Sequence, residues 1–316
     1  MFGNPEHAAQ LLRTCLPAQV VARTDWSRLA RVSGSFVDEE LGQRHCDLLF
    51  TAPLAGSDAF FYVLFEHQST PDALLAFRML RYEVRIWERW LREHPEKKRI
   101  PAILPVVLYN GETHWNEARD FTELVDLEAA LKDSLVEFLP RFQFLLDDLS
   151  EKEDEVLRSR SIGALVCLTL LSLKNAGHRK DFENVLLSYA ALLRQMNEAP
   201  TGREALHAIA SYILEVSQTV KAETLGQVLA RTIGKESGAQ VMTTAGEQIR
   251  EQGRQEGRKE GVVLGLKQAL LRMLWLRFGD VPESVEQRIL SATRTETDRW
   301  LGQALKAATL DDVFQS

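Results

Sequence analysis

Residues 46–68 read CDLLFTAPLAGSDAFFYVLFEHQ. Two apolar runs, Cys46–Ala52 and Ala59–Glu66, flank Pro53-Leu54-Ala55-Gly56-Ser57-Asp58, a turn-rich link of hairpin length. Both runs are apolar on successive residues, the pattern of strands covered on both faces. With the hairpin centre near residue 56 or 57, symmetric pairing sets Asp47 almost opposite Glu66. Gln68, two residues on, shares the face of Glu66 if the strand stays extended. Opposed carboxylates about 5 Å apart repel unless a cation or a proton lies between them. A hard cation such as Mg²⁺ suits one or two carboxylates completed by water and phosphate oxygens. Strand-end carboxylates are also commonly solvated surface groups, and one bulged residue would shift the register. Spacing alone leaves both readings open.

Outward from the hairpin, the spacing predicts a helix over Pro5–Leu16 and a strand over Ala30–Val37. After the hairpin, Ser69-Thr70-Pro71-Asp72 breaks the strand and starts a long helix, about Ala73–His94. A buried strand over Ala102–Tyr109 ends at the turn signal Asn110-Gly111. The order is that of a mixed α/β core with a helical crossover. From about residue 121 the pattern turns helical. Ser150–Glu153 reads as a capping box, and Asp147 and Asp148 before it as helix-start residues. Ile162–Leu173 reads as a buried helix. Glycines then recur every fourth residue at Gly253, Gly257, Gly261 and Gly265. That spacing fits either close approach of another helix or a flexible, partly helical linker. Three regions result: a core over 1–150, a helical region over 151–240, and a glycine-spaced helix with a small helical domain over 246–316.

The long helix carries Arg78, Arg81, Arg85, Arg89 and Arg92, spaced three or four apart, on one stripe about 80° wide. Leu80, Val84, Trp87 and Leu91 form a separate apolar stripe, expected to face the core. An arginine stripe suits phosphate oxygens. Helix or subunit packing is the alternative. His45 and His67 neighbour acidic residues on strands and read as packing groups.

The chain has 316 residues and a formal net charge of −7. That excludes a protein coated with basic residues, while leaving room for a local basic groove. Cys15, Cys46 and Cys167 are odd in number and far apart, so neither a disulfide framework nor a zinc motif is indicated. A reducing cytoplasm is the expected setting. The N-terminus lacks a signal-peptide pattern, and no apolar stretch is long enough to span a bilayer.

The stretches PEHAAQLLRTCLP, SFVDEELGQRHCDLLF, FEHQSTPDALLAFRMLRYEVRIWERWL and PVVLYNG resemble the Rpn family of recombination-promoting nucleases, also called YhgA-like transposases. The resemblance covers about residues 2–150, and the helical tail from about 246 is similar to those behind this core. It implies a PD-(D/E)XK restriction-endonuclease-like core, a mixed sheet flanked by helices, followed by an α-helical C-terminal region. It implies a Mg²⁺-dependent DNA endonuclease, with Mn²⁺ as an alternative ion. The family's D…E-x-Q motif falls on Asp47, Glu66 and Gln68, with Asp47 and Glu66 as metal ligands. Gln68 stands where the wider superfamily often carries lysine; its amide can orient water or a phosphate. The arginine stripe would hold DNA. Members usually carry a longer N-terminus with an H-D-x-x-F-like motif, and the present sequence begins inside that region. An inactive DNA-binding or oligomeric protein that keeps the fold is the other expectation. The C-terminal helices would then mediate self-association.

Overall fold

The computed structural model describes residues 1–32, 46–66, 71–128, 131, 134–177, 179–199, 202–217, 219–307 and 309–314. Its centre is a five-stranded sheet, ordered β1 (Ala30–Arg31), β2 (Cys46–Leu54), β3 (Ser57–Glu66), β4 (Ala102–Tyr109) and β5 (Leu145–Asp148). β1, β2 and β3 pair antiparallel, whereas β3, β4 and β5 run parallel. Parallel neighbours need a crossover, which α3 (Leu75–Glu93) supplies between β3 and β4.

The hairpin is tighter than its sequence suggests. β2 and β3 continue through Pro53 and Asp58, so only Ala55 and Gly56 remain as the turn. Both have positive φ, 51° and 84°, as a primed two-residue hairpin turn demands. Gly56 adopts this freely, while Ala55 does so against its Cβ. The outcome is a register two residues in partner position from the symmetric expectation: Asp47 pairs with Leu64, and Cys46 with Phe65.

Alternation along these strands divides the interior into two layers. Leu48, Phe50, Phe61, Val63, Val106 and Leu108 face a core shared with helices α1 (Pro5–Cys15) and α5 (Ala164–Asn175). The same core continues through α6 (Phe182–Ser188), α7 (Ala190–Glu198), α8 (Gly202–Val216) and α9 (Ala222–Ile233). Leu49, Tyr62, Leu64 and Val107 face the opposite layer, covered by Leu75, Met79, Tyr82 and Ile86 of α3. Short helices α2 (Ala18–Arg23) and α4 (Asp154–Arg158) complete this part.

Helix α3 corrects one expectation. Its buried residues are Leu75, Ala76, Met79, Tyr82, Glu83 and Ile86, while Val84 and Leu91 of the Leu80/Val84/Trp87/Leu91 stripe are exposed. The helix has two apolar stripes, and periodicity cannot say which one meets the sheet. Tertiary contacts decide: the Tyr82 ring packs edge-on against Tyr62, and Trp87 Nε1 donates to the Pro101 carbonyl. The expected capping box is also absent. Ser150 lies in a turn, its N–H and hydroxyl both donating to Asp148, and α4 starts at Asp154. Of the predicted strand Ala30–Val37, residues 33–37 lie outside the described residues, as do His45, His67 and Gln68.

The chain divides into two compact units, Met1–Ala245 and Gly246–Ser316. The second has its own core, in which Leu270 and Leu274 meet Ile289, Trp300 and Ala304. These come from α10 (Lys235–Phe278), α11 (Glu283–Ser291) and α12 (Arg294–Ala304), the last opened by a capping box of Thr293 and Glu296. The glycine-spaced segment is helical, part of the 44-residue α10. A Cβ added at Gly257, Gly261 or Gly265 would meet nothing within 4 Å.

Candidate active site at the carboxyl edge of the sheet

Parallel strands bring their carboxyl ends to one edge, the place where open α/β sheets bind ligands. Here the register aligns Glu66, Tyr109 and Asp148 in a row across β3, β4 and β5. Asp47 pairs with Leu64 on the neighbouring strand. Positions 47, 64 and 66 therefore belong to one face, the α3 side, with Asp47 and Glu66 as diagonal neighbours rather than direct partners. Because the register differs from the symmetric one by two residues in partner position, the shared face survives. Diagonal neighbours lie roughly 7–8 Å apart along the backbone.

The row continues into a polar cluster. Asp148, buried, accepts from the Trp115 N–H and the Ser150 N–H, each at 2.8 Å. The Trp115 ring stands edge-on to Tyr109 with centroids 5.1 Å apart. His114 Nδ1 lies 3.1 Å from Ser150 Oγ. One ligand atom each from His114, Asp148 and Glu151 falls within 4.8 Å of the others. Sequence reasoning missed this group because its members come from two segments more than thirty residues apart, and because β5 escaped notice in FQFLLDDLS.

Asp147, on the other face, is structural. It accepts from Arg160 Nη2 and Lys152 Nζ, both at 2.7 Å. Burial opposes its charge, but Arg160 and then Lys152 prevail and hold the carboxyl below its ordinary value. Cys15, beside it, is pushed up to about 12 by burial and by the Asp147 charge. Neither aspartate starts a helix, as their position in the sequence had suggested. Asn110 also has a structural task, its amide donating to the Leu173 carbonyl.

The arginines project from one flank of α3. Arg78 pairs with Asp72, the residue whose carboxylate also accepts from the Leu74 N–H at the helix start. Arg89 pairs with Glu93 at 2.8 Å. The Arg81 guanidinium lies 5.9 Å from the Tyr82 ring centroid, and Arg92 is exposed. On the buried side of the same helix, Glu83 is only 4% exposed. Its Oε1 has no hydrogen-bond partner among the described residues, and burial pushes its pKa up to about 8.

A mixed five-stranded sheet flanked by helices, followed by a helical C-terminal region, defines an α/β protein. The chain belongs to a family described as putative transposase, YhgA-like, whose model matches residues 1–204. RpnC of Escherichia coli (strain K12), named a recombination-promoting nuclease, is 27% identical over 246 residues, 77% of this chain and 76% of that protein. RpnD of Escherichia coli O157:H7, also named a recombination-promoting nuclease, is 33% identical over 108 residues. That match spans 34% of this chain and 41% of RpnD, less than half its length. RpnE of strain K12, named an inactive recombination-promoting nuclease-like protein, is 26% identical over 166 residues, 51% of this chain and 52% of that protein. No solved structure matches the chain.

Proposed function

We propose that the protein is a metal-dependent DNA endonuclease with a PD-(D/E)XK-like core. The observation that carries this reading is the backbone register that sets Asp47 and Glu66 on one face at the carboxyl edge of the sheet. The chemistry of the donor set suits the ion: two hard carboxylates, completed by water and a phosphate oxygen, are what Mg²⁺ or Mn²⁺ takes. Asp47 and Glu66 hold the ion. When bound, it lowers the pKa of water and offsets charge on the phosphate. Gln68, two residues beyond Glu66, orients the attacking water through its amide. Arg78, Arg81, Arg85, Arg89 and Arg92 bind the DNA backbone, neutralising phosphates without reading sequence. The names of RpnC and RpnD support the nuclease reading. The setting proposed is cytoplasmic; among the described residues no helix is long and apolar enough to cross a membrane.

A second reading is favoured by the name of RpnE: a chain of this family that binds DNA without cutting it. Nicking of supercoiled plasmid separates the two. The full chain is expected to nick with Mg²⁺ or Mn²⁺ and to stop with a chelator. Asp47→Ala and Glu66→Ala are each expected to slow nicking by about 100-fold or more, the scale lost when a group acting on the transition state is removed. Equal nicking by the variants and the parent would overturn the site. Undiminished DNA binding with no nicking under any divalent ion would establish the second reading.

A further inference from the structure

We infer that helix α3 pairs antiparallel with α3 of a second copy, through the apolar stripe that the sheet leaves uncovered. Phe77, Val84 and Leu91 recur every seven residues and are 47%, 43% and 39% exposed. Leu80 and Trp87, also seven apart, are half-buried along one border. Spacings of three and four over two heptads make the seam of a two-helix coil, which crosses at a shallow left-handed angle.

The identity of the partner follows from the symmetry of the stripe. Phe77 and Leu91 lie equally far from Val84, and Leu80 and Trp87 nearly so. A two-fold axis through Val84 therefore lays each apolar residue on another, as an isologous contact requires. Charge obeys the same operation. Arg81 and Glu88 stand along the other border, on opposite sides of Val84 at almost equal distance. Antiparallel pairing sets Arg81 of one copy against Glu88 of the next, twice over. Parallel pairing would instead lay this charged border along the Leu80 and Trp87 border of the other copy, leaving both charges without a counter-charge. Among the described residues Glu88 makes no ion pair, and Arg81 Nε is buried without an acceptor. The arginine stripe is centred about 100° round the helix from Val84, so pairing leaves most of it open.

A seam of this length falls near or below the roughly 800 Å² per partner of a stable complex, so the dimer is reversible and concentration-dependent. Light scattering with size exclusion on the full chain tests it, over a range of concentrations. The parent is expected to pass from monomer to dimer as concentration rises. Val84→Glu sets two carboxylates against each other on the axis and is expected to raise the dissociation constant by about 100-fold, the scale of a central hot-spot residue. Glu88→Arg should also weaken the dimer, and Arg81→Glu with Glu88→Arg should restore it. Val84→Cys, which keeps the fold's exposed position apolar, should give a disulfide-linked dimer absent from the parent on a non-reducing gel. A parent that stays monomeric at the highest reachable concentration overturns the inference. So does a dimer that survives Val84→Glu, whether it is held by α10 or by another surface, and so does a Val84→Cys chain that fails to cross-link.

Discussion

Glu83 sets up a measurable conflict between burial and charge. It lies on the sheet-facing side of α3 among Met79, Tyr82 and Ile86, and Oε1 finds no partner among the described residues. Its pKa rises from 4.5 to about 8 on folding because burial penalises the carboxylate. The folded state therefore holds a proton that the unfolded chain releases above its own lower pKa. Stability is highest below that value, falls as pH rises through the window between 4.5 and about 8, and then levels off. Each unit of pH in the window costs about 1.4 kcal/mol, or about 3 kcal/mol by pH 7. Relaxation of the surroundings about the charged group lowers the effective cost to about 2 kcal/mol. Glu83→Gln keeps the shape and removes the titration. For a unit of 245 residues, about 2 kcal/mol corresponds to roughly 4–8 °C in Tm. Thermal unfolding of parent and variant from about pH 5 to about pH 9 should show curves that converge at the acid end and separate as pH rises. His207, whose pKa is lowered by burial, is common to both and cancels in the difference. Parallel curves, or a variant less stable than the parent at pH 8, would refute the reasoning.

Two further outcomes follow from other charges. Asp147→Asn leaves Arg160 and Lys152 without their carboxylate in a buried site and should destabilise by about 3–5 kcal/mol, read by urea unfolding at neutral pH. Because the folded pKa of Asp147 is lowered, its contribution is present above the ordinary aspartate value and lost as pH falls through the folded one, so the gap between parent and variant should narrow only under strong acid. For DNA, Arg85→Ala and Arg92→Ala should each weaken binding alike across sequences and reduce the slope of log affinity against log salt by about 1. A slope unchanged by both would remove the stripe from the interface.

The sequence by itself determined the elements whose signals are local. Ala102–Tyr109 was read as an apolar run ended by the turn residues Asn110-Gly111, and Pro5–Leu16 as a helix, matching β4 and α1 closely. The hairpin was legible because two apolar runs bracket a short link, and the shared face of Asp47 and Glu66 followed from alternation. Tertiary structure decided what local signals leave degenerate. A two-residue turn at Ala55-Gly56, not the six-residue link, fixed Asp47 opposite Leu64. Packing of Tyr82 on Tyr62 chose which of two apolar stripes of α3 meets the sheet and turned Phe77, Val84 and Leu91 outward. Glu83 gave no sign in sequence of being buried, since an acid between tyrosine and valine on a helix reads as surface. Asp148 joined the row of Glu66 and Tyr109 only through strand pairing across two crossovers. Periodicity states which residues lie together on one element; only the pairing of distant elements states what they face.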